Sequence, residues 1–322
     1  MDAIGGYNQL SISNTNSHIH TRALKYQSAR AALYAYLQAA NVQTLYVPNY
    51  ICDSIFPGLK ALNIKIYFYS INQFLLPKKH LTVNGDKSAK ILLVNYFGLL
   101  DKALKYELGD NPQAYIIDNS QALFCEHIEG TTSIYSPRKF FGMPDGGLLQ
   151  TPLNISPPQK LYNASANLKH LLLRATGHTQ EGYKEYLKAE KALECFEPKA
   201  MSSISQLLMT CSDISSIKYK RQQNYLRLAS HFNIINQLNL PLNEQVPLCY
   251  PLKLSKNVSS ICSALIKIGI YLPRYWKSEY SEKQGQSMYN NTLFLPIDER
   301  LNEQNMARLI ESVSLVMDKQ DP

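Results

Sequence analysis

Two short segments carry an acid and an amine at positions from which side chains do chemistry. Ala114-Tyr115-Ile116-Ile117-Asp118-Asn119-Ser120-Gln121 is an apolar run that stops at a carboxylate. Ser133-Ile134-Tyr135-Ser136-Pro137-Arg138-Lys139 stops at a hydroxyl and then a lysine, and continues through Phe140-Phe141-Gly142 to Asp145-Gly146-Gly147. Each reads as a buried β-strand that delivers a polar residue at its carboxyl end. An acid and an amine brought to one crevice suit pyridoxal phosphate (PLP). The acid keeps the pyridine nitrogen protonated, so that the ring accepts electrons. The amine bonds the cofactor aldehyde and then moves protons.

The elements that must position these groups alternate in the first half of the chain. Ser28 is placed to cap a helix that runs to about Ala40, with Ala32, Leu33, Tyr36, Leu37 and Ala40 at helical spacing. Strands are predicted over 44–47 (closed by Pro48), 64–69, 91–94, 115–117, 133–135 and 147–150, with a helix over 54–62 whose start Pro57 limits. Several of these runs are apolar without alternation, as in strands buried on both faces of a mostly parallel sheet. That pattern argues an α/β architecture with its site at the carboxyl ends of the strands.

From 160 to 235 the chain reads helical, ending in a long amphipathic stretch over 214–236. The composition shifts at Leu240-Pro241-Leu242-Asn243. Beyond it a strand (246–252), a helix (258–269), strands at 269–272 and 293–295 and a last helix (302–317) are predicted. The expected organisation is a large domain over residues 1–235, with an N-terminal arm and a long linking helix, and a small C-terminal α+β domain over 236–322.

Composition bounds the function. The 322 residues are 45% hydrophobic and 18% charged, which describes a globular chain with a sizeable core. Six cysteines are scattered without a CxxC pair, as expected of reduced cytoplasmic thiols. No apolar run has membrane-spanning length, and the N-terminus lacks the basic-then-apolar order of a secretory signal. The net charge of +8 is thinly spread. Its densest run, Lys218-Tyr219-Lys220-Arg221, reads as a solvated helix face, and no nucleic-acid motif accompanies it. A mild positive field suits an anionic substrate. His18-Ile19-His20 has no acid or cysteine near it, so no metal site is expected. Arg274, Trp276 and Arg300 are candidates to meet an anionic substrate.

With these segments in place, the chain resembles the DegT/DnrJ/EryC1/StrS family, the PLP-dependent aminotransferases of nucleotide-sugar biosynthesis. The resemblance is carried, in the family's order, by Ser28-Ala29-Arg30-Ala31-Ala32-Leu33, Val47-Pro48-Asn49-Tyr50, Asn95-Tyr96-Phe97-Gly98, Ile117-Asp118-Asn119-Ser120-Gln121, Ser136-Pro137-Arg138-Lys139, Gly146-Gly147 and Leu295-Pro296-Ile297-Asp298-Glu299-Arg300. It implies the aspartate-aminotransferase type of PLP fold (fold type I) and a homodimer with sites at its interface. The implied reaction takes an amine from glutamate and passes it to a nucleotide-linked keto sugar. Lys139 matches the family's Schiff-base lysine and Asp118 the acid that pairs with the pyridine nitrogen. Gln121 stands where the family sets Gln or His against the cofactor ring or its phenolic oxygen. Ser28, Ala29 and Arg30 match the helix N-terminus that holds the phosphate, with Ser136 as a further donor.

Three departures accompany the resemblance. Ser136 lies three residues before Lys139 where many members have five. Cys52 stands where many members stack a Trp or Phe on the cofactor, which leaves Tyr50 to supply that face. Pro198-Lys199-Ala200-Met201-Ser202 lacks the Asn that reaches the partner's phosphate. The rival readings are a non-catalytic member with a sensing or scaffold role, and a PLP enzyme acting on an amino acid or other small amine. The family's sugar dehydratases carry a His in place of the lysine, so the retained Lys139 argues against that branch.

Overall fold

The computed structural model describes residues 10–319, apart from Asn14, Asn84, Asn239, Pro241, Asn243, Ser278, Glu279, Ser281 and Glu282 and the side chain of Lys283. The first nine residues of the predicted N-terminal arm, and Pro241 and Asn243 at the predicted composition shift, lie outside the described residues.

The elements in chain order are β1 (Leu24–Tyr26), α1 (Ala29–Ala39), β2 (Thr44–Pro48), α2 (Phe56–Ala61), β3 (Lys65–Tyr69), β4 (Ala89–Val94), α3 (Asp101–Glu107), β5 (Tyr115–Asn119), β6 (Thr132–Tyr135) and β7 (Gly147–Gln150). Then come α4 (Lys169–Ala175), α5 (Thr179–Ala192), α6 (Ser203–Thr210), α7 (Ile214–Phe232), β8 (Cys249–Lys253), α8 (Ser259–Lys267), α9 (Lys283–Asn291), β9 (Thr292–Pro296) and α10 (Glu303–Asp318). The first seven strands form one sheet in the order β1-β7-β6-β5-β4-β2-β3. Strands β3, β2, β4, β5 and β6 are parallel, while β7 is antiparallel to both β6 and β1. Strands β8 and β9 make a separate antiparallel pair. The runs Ile91–Val94 and Tyr115–Ile117 are buried throughout, which explains why their sequence shows no polar alternation.

The cap at Ser28 holds as the spacing predicts: its hydroxyl accepts from the Ala31 amide and α1 buries Ala31, Ala32, Leu33, Ala35, Tyr36 and Leu37. The helical reading of 160–235 is corrected. Four helices are broken by an extended segment around Pro198, where Ala200 bridges both Tyr26 and Leu161. The strand predicted over 269–272 does not form. Gly269 takes φ +80 in the turn that ends α8, and the apolar residues after it, Ile270 and Leu272, pack half-buried as coil. Short β1, α3 and the polar helix α9 carry no pattern that sequence reading caught. The two sheets share one apolar core, and Phe97, in the turn after β4, meets Phe294 of β9 with ring centroids 5.2 Å apart.

Candidate active site

Strand register brings the sequence-predicted residues to one edge. β5 and β6 are parallel, with Asp118 beside Ile134 and Asn119 beside Tyr135, so both strands end at the same rim. Lys139 closes the 3₁₀ turn Pro137–Lys139 directly after β6 and is exposed. Strand β7 runs the other way, with Leu148 opposite Tyr135, so its first residue, Gly147, also lies at this rim, next to Ser136. Ser28 bridges Gly146 in parallel, which carries the N-terminus of α1 to the same place. Strand alternation puts Asp118, Ile134 and Thr132 on one face, and the Thr132 hydroxyl pairs with that of Thr151 at 2.9 Å.

The close approach of α1 depends on Gly147. A Cβ on this residue would stand 2.1 Å from the Ser28 carbonyl carbon and 2.4 Å from the Ala29 nitrogen. Backbone thus lies directly under backbone. Ser136 is buried beside this contact. Arg30 is half-buried in the groove between α1 and α2, lined by Tyr34, Ser54 and Phe196.

Asp118 Oδ1 accepts from the Ser120 amide at 2.9 Å, and the carboxylate lies near Tyr96. Gln121 is buried. Its Oε1 accepts from the Phe97 amide at 3.0 Å, while its Nε2 has no partner among the described residues. Phe97 holds a left-handed φ of +59, and this hydrogen bond anchors it.

Tyr50 is fully buried. Its ring stacks on Tyr96 with centroids 5.3 Å apart and 17° between planes, and tilts against Trp276 at 5.3 Å. Its hydroxyl donates to the Tyr275 carbonyl at 2.7 Å, and the Tyr96 hydroxyl donates to the Tyr50 carbonyl. Burial pushes the phenols of both Tyr50 and Tyr96 well up, so both stay neutral donors. Cys52 donates its thiol to Ser54 Oγ at 3.1 Å.

Arg274 and Arg300 are both engaged within the chain. Arg274 donates to the Tyr289 carbonyl at 2.7 Å and lies over the Tyr289 ring, and Arg300 pairs with Asp298 at 2.6 Å. Sequence reading missed Cys249 of β8, a buried thiol that feels the charges of Arg221 and Lys139. Burial pushes its thiol well up, and those two cations oppose the shift. It also missed Glu190 of α5, which pairs with Arg138 next to Lys139. Neither has a local signal, because each meets the rim only through the fold.

No family model matches the sequence, and no curated protein matches it. Solved structures do match. One assigned as the sugar aminotransferase Spr1654 of Streptococcus pneumoniae, in its PMP form, aligns with TM-score 0.67 at 14% identity over 92% of this chain and 86% of that one. A DegT DnrJ EryC1 StrS aminotransferase from Brucella abortus aligns with TM-score 0.59 at 14% identity over 91% and 85%. Helicobacter pylori PseC, an aminotransferase of pseudoaminic acid biosynthesis, aligns with TM-score 0.59 at 17% identity over 92% and 87%. The chain has the aspartate-aminotransferase-type architecture, PLP fold type I, as the sequence resemblance implied.

The residues at the rim fit that cofactor. The set holds a carboxylate (Asp118), an exposed amine (Lys139) and the positive end of α1. The unpartnered Gln121 Nε2 is a buried donor only three residues from Asp118, and Gly147 leaves the helix N-terminus clear of side chain.

Proposed function

We propose that the protein is a PLP-dependent aminotransferase that moves an amino group, with glutamate as the expected donor, to a nucleotide-linked keto sugar. Its product would enter surface polysaccharide or glycoside biosynthesis. The observation that carries this reading is the meeting of Asp118, Lys139 and the Ser28-capped helix at one rim of the sheet. The aligned structures are themselves described as sugar aminotransferases, which supports the choice of acceptor. The protein acts in the cytoplasm as a homodimer, with residues 1–235 and 236–322 as its large and small domains.

Bound PLP supplies an electron sink for the carbon that loses its proton. The chain supplies the rest. Ser28, Ala29 and Arg30 would set the positive end of α1 against the phosphate, and Ser136 would add a hydroxyl. Asp118 would hold a proton on the pyridine nitrogen by charge pairing. Gln121 Nε2 would donate to the cofactor ring or its phenolic oxygen, Tyr50 would back the aromatic wall it forms with Tyr96 and Trp276, and Lys139 would bond the aldehyde and carry protons to and from the substrate carbon.

The test is uptake of PLP followed by single-turnover reaction with glutamate, in the wild type and in Asp118→Asn. The wild type is expected to hold covalent PLP whose visible band bleaches with glutamate. Asp118→Asn is expected to keep the covalent link while bleaching about 10³-fold more slowly, the order that a preorganised charge contributes. A wild type that takes up no PLP would overturn the aminotransferase reading in favour of a non-catalytic role.

A further inference from the structure

The segment that carries Lys139 ends at a fully buried carboxylate, Asp145, for which the proposed chemistry has no use. One oxygen accepts from the Ser202 amide at 2.9 Å, and the other from the hydroxyls of Ser202 and Ser205. Ser202 caps α6, so the acid sits on the first turn of that helix and all its partners come from there.

The same stretch of chain is tied to β1 and to the start of α1. The Met201 amide donates to the Lys25 carbonyl at 3.2 Å and the Gln27 amide to the Lys199 carbonyl at 3.0 Å. The Gln27 side chain adds two bonds, from its Nε2 to the Glu197 carbonyl at 2.6 Å and from the Lys199 amide to its Oε1 at 2.8 Å. The Gly146 amide, next to Asp145, donates to the Gln27 carbonyl at 2.7 Å. The loop after Lys139, the start of α6 and the start of α1 thus form a closed ring of contacts around Gly147.

We propose that Asp145 is a positioning residue that fixes the phosphate cradle; this rests on the PLP reading above. The first turn of α1 rests on Gly147 with no slack, so the position of the 145–147 turn sets where the α1 amides point. Anion binding by fixed amides tolerates only about 0.5 Å of displacement. Without the Asp145 carboxylate, a fixed Ser202 N–H and two buried hydroxyls lose their acceptor and the turn loses its anchor.

The test compares binding of PLP with binding of pyridoxal, which lacks the phosphate, in wild type, Asp145→Asn and Asp145→Ala. Asparagine can still accept from the Ser202 amide and donate to the hydroxyl oxygens, so its PLP affinity should fall no more than about threefold. Alanine should lower PLP affinity about tenfold or more while changing pyridoxal affinity by less than about twofold. Where Asp145→Ala does not fold, Ser205→Ala gives the same readout, with an expected PLP-selective loss of about threefold. An unchanged PLP-to-pyridoxal ratio in the folded variants would overturn the positioning role and leave the PLP reading standing. A wild type that binds neither ligand would overturn both.

Discussion

Replacing Lys139 with alanine should abolish covalent attachment of PLP and lower transamination about 10³-fold or more, the range of a lost proton-transfer group. The substitution isolates chemistry from folding. Lys139 is exposed at the end of a short 3₁₀ turn, where truncation costs within about 0.5 kcal/mol. Its neighbours Phe140 and Arg138 are held independently, Phe140 under the Arg221 guanidinium at 4.9 Å and Arg138 by Glu190. Lys139→Arg is the matching variant, since it keeps the positive charge near Cys249 but offers no amine to bond the aldehyde. The measurement is the mass of protein reduced with borohydride in the presence of PLP, together with turnover and Tm. Both variants should lose the mass adduct and keep the wild-type Tm. An adduct surviving in Lys139→Ala would place the amine elsewhere, and loss of turnover in Lys139→Ala but not in Lys139→Arg would reduce the residue to a point charge.

What the sequence shows of this site follows from the range of the forces involved. Asp118 is legible because it ends an apolar run, and a run buried on both faces ends where the sheet ends. Lys139 is legible because it follows the short strand Thr132–Tyr135 by one tight polar turn, Ser136-Pro137-Arg138. The Ser28 cap is legible because capping is a contact between near neighbours, here Ser28 and Ala31. Contacts across long stretches of chain leave no such trace. Tyr50 reads as a loop tyrosine free to face a ring, yet the fold seats it between Tyr96 and Trp276, with its hydroxyl on Tyr275. Arg274 reads as a free cation, and Tyr289 and Cys262 occupy it. The stretch after Pro198 shows no pattern of its own, because its order comes from β1 and Asp145. Helix α9 is polar along most of its length and is anchored by the fully buried Met288, a single residue with no periodicity to reveal it.

Gly147→Ala should be the most damaging single methyl in the chain's large sheet. The three atoms that its Cβ would meet, at 2.1, 2.2 and 2.4 Å, are the Ser28 carbonyl carbon, the Ser28 oxygen and the Ala29 nitrogen. All are backbone, so no side chain can rotate away, and relief requires the first turn of α1 to lift off β7. That turn also carries the Ser28 cap, and behind it lie Ala31, Ala32 and Leu33 in the core. Overpacking of this kind costs about 3 kcal/mol, which in a chain of 322 residues lowers Tm by roughly 4–5 °C. PLP affinity should fall with it, because the amides proposed to hold the phosphate are those displaced. Gly142→Ala provides the control from the same loop: its Cβ would find only Leu171 Cδ2, at 4.0 Å. That variant should melt with the wild type and bind PLP as the wild type does. Thermal denaturation and PLP titration of the two alanine variants side by side decide the matter. Equal melting of both would mean that α1 has room above β7, and the cradle would then owe its position to contacts other than Gly147.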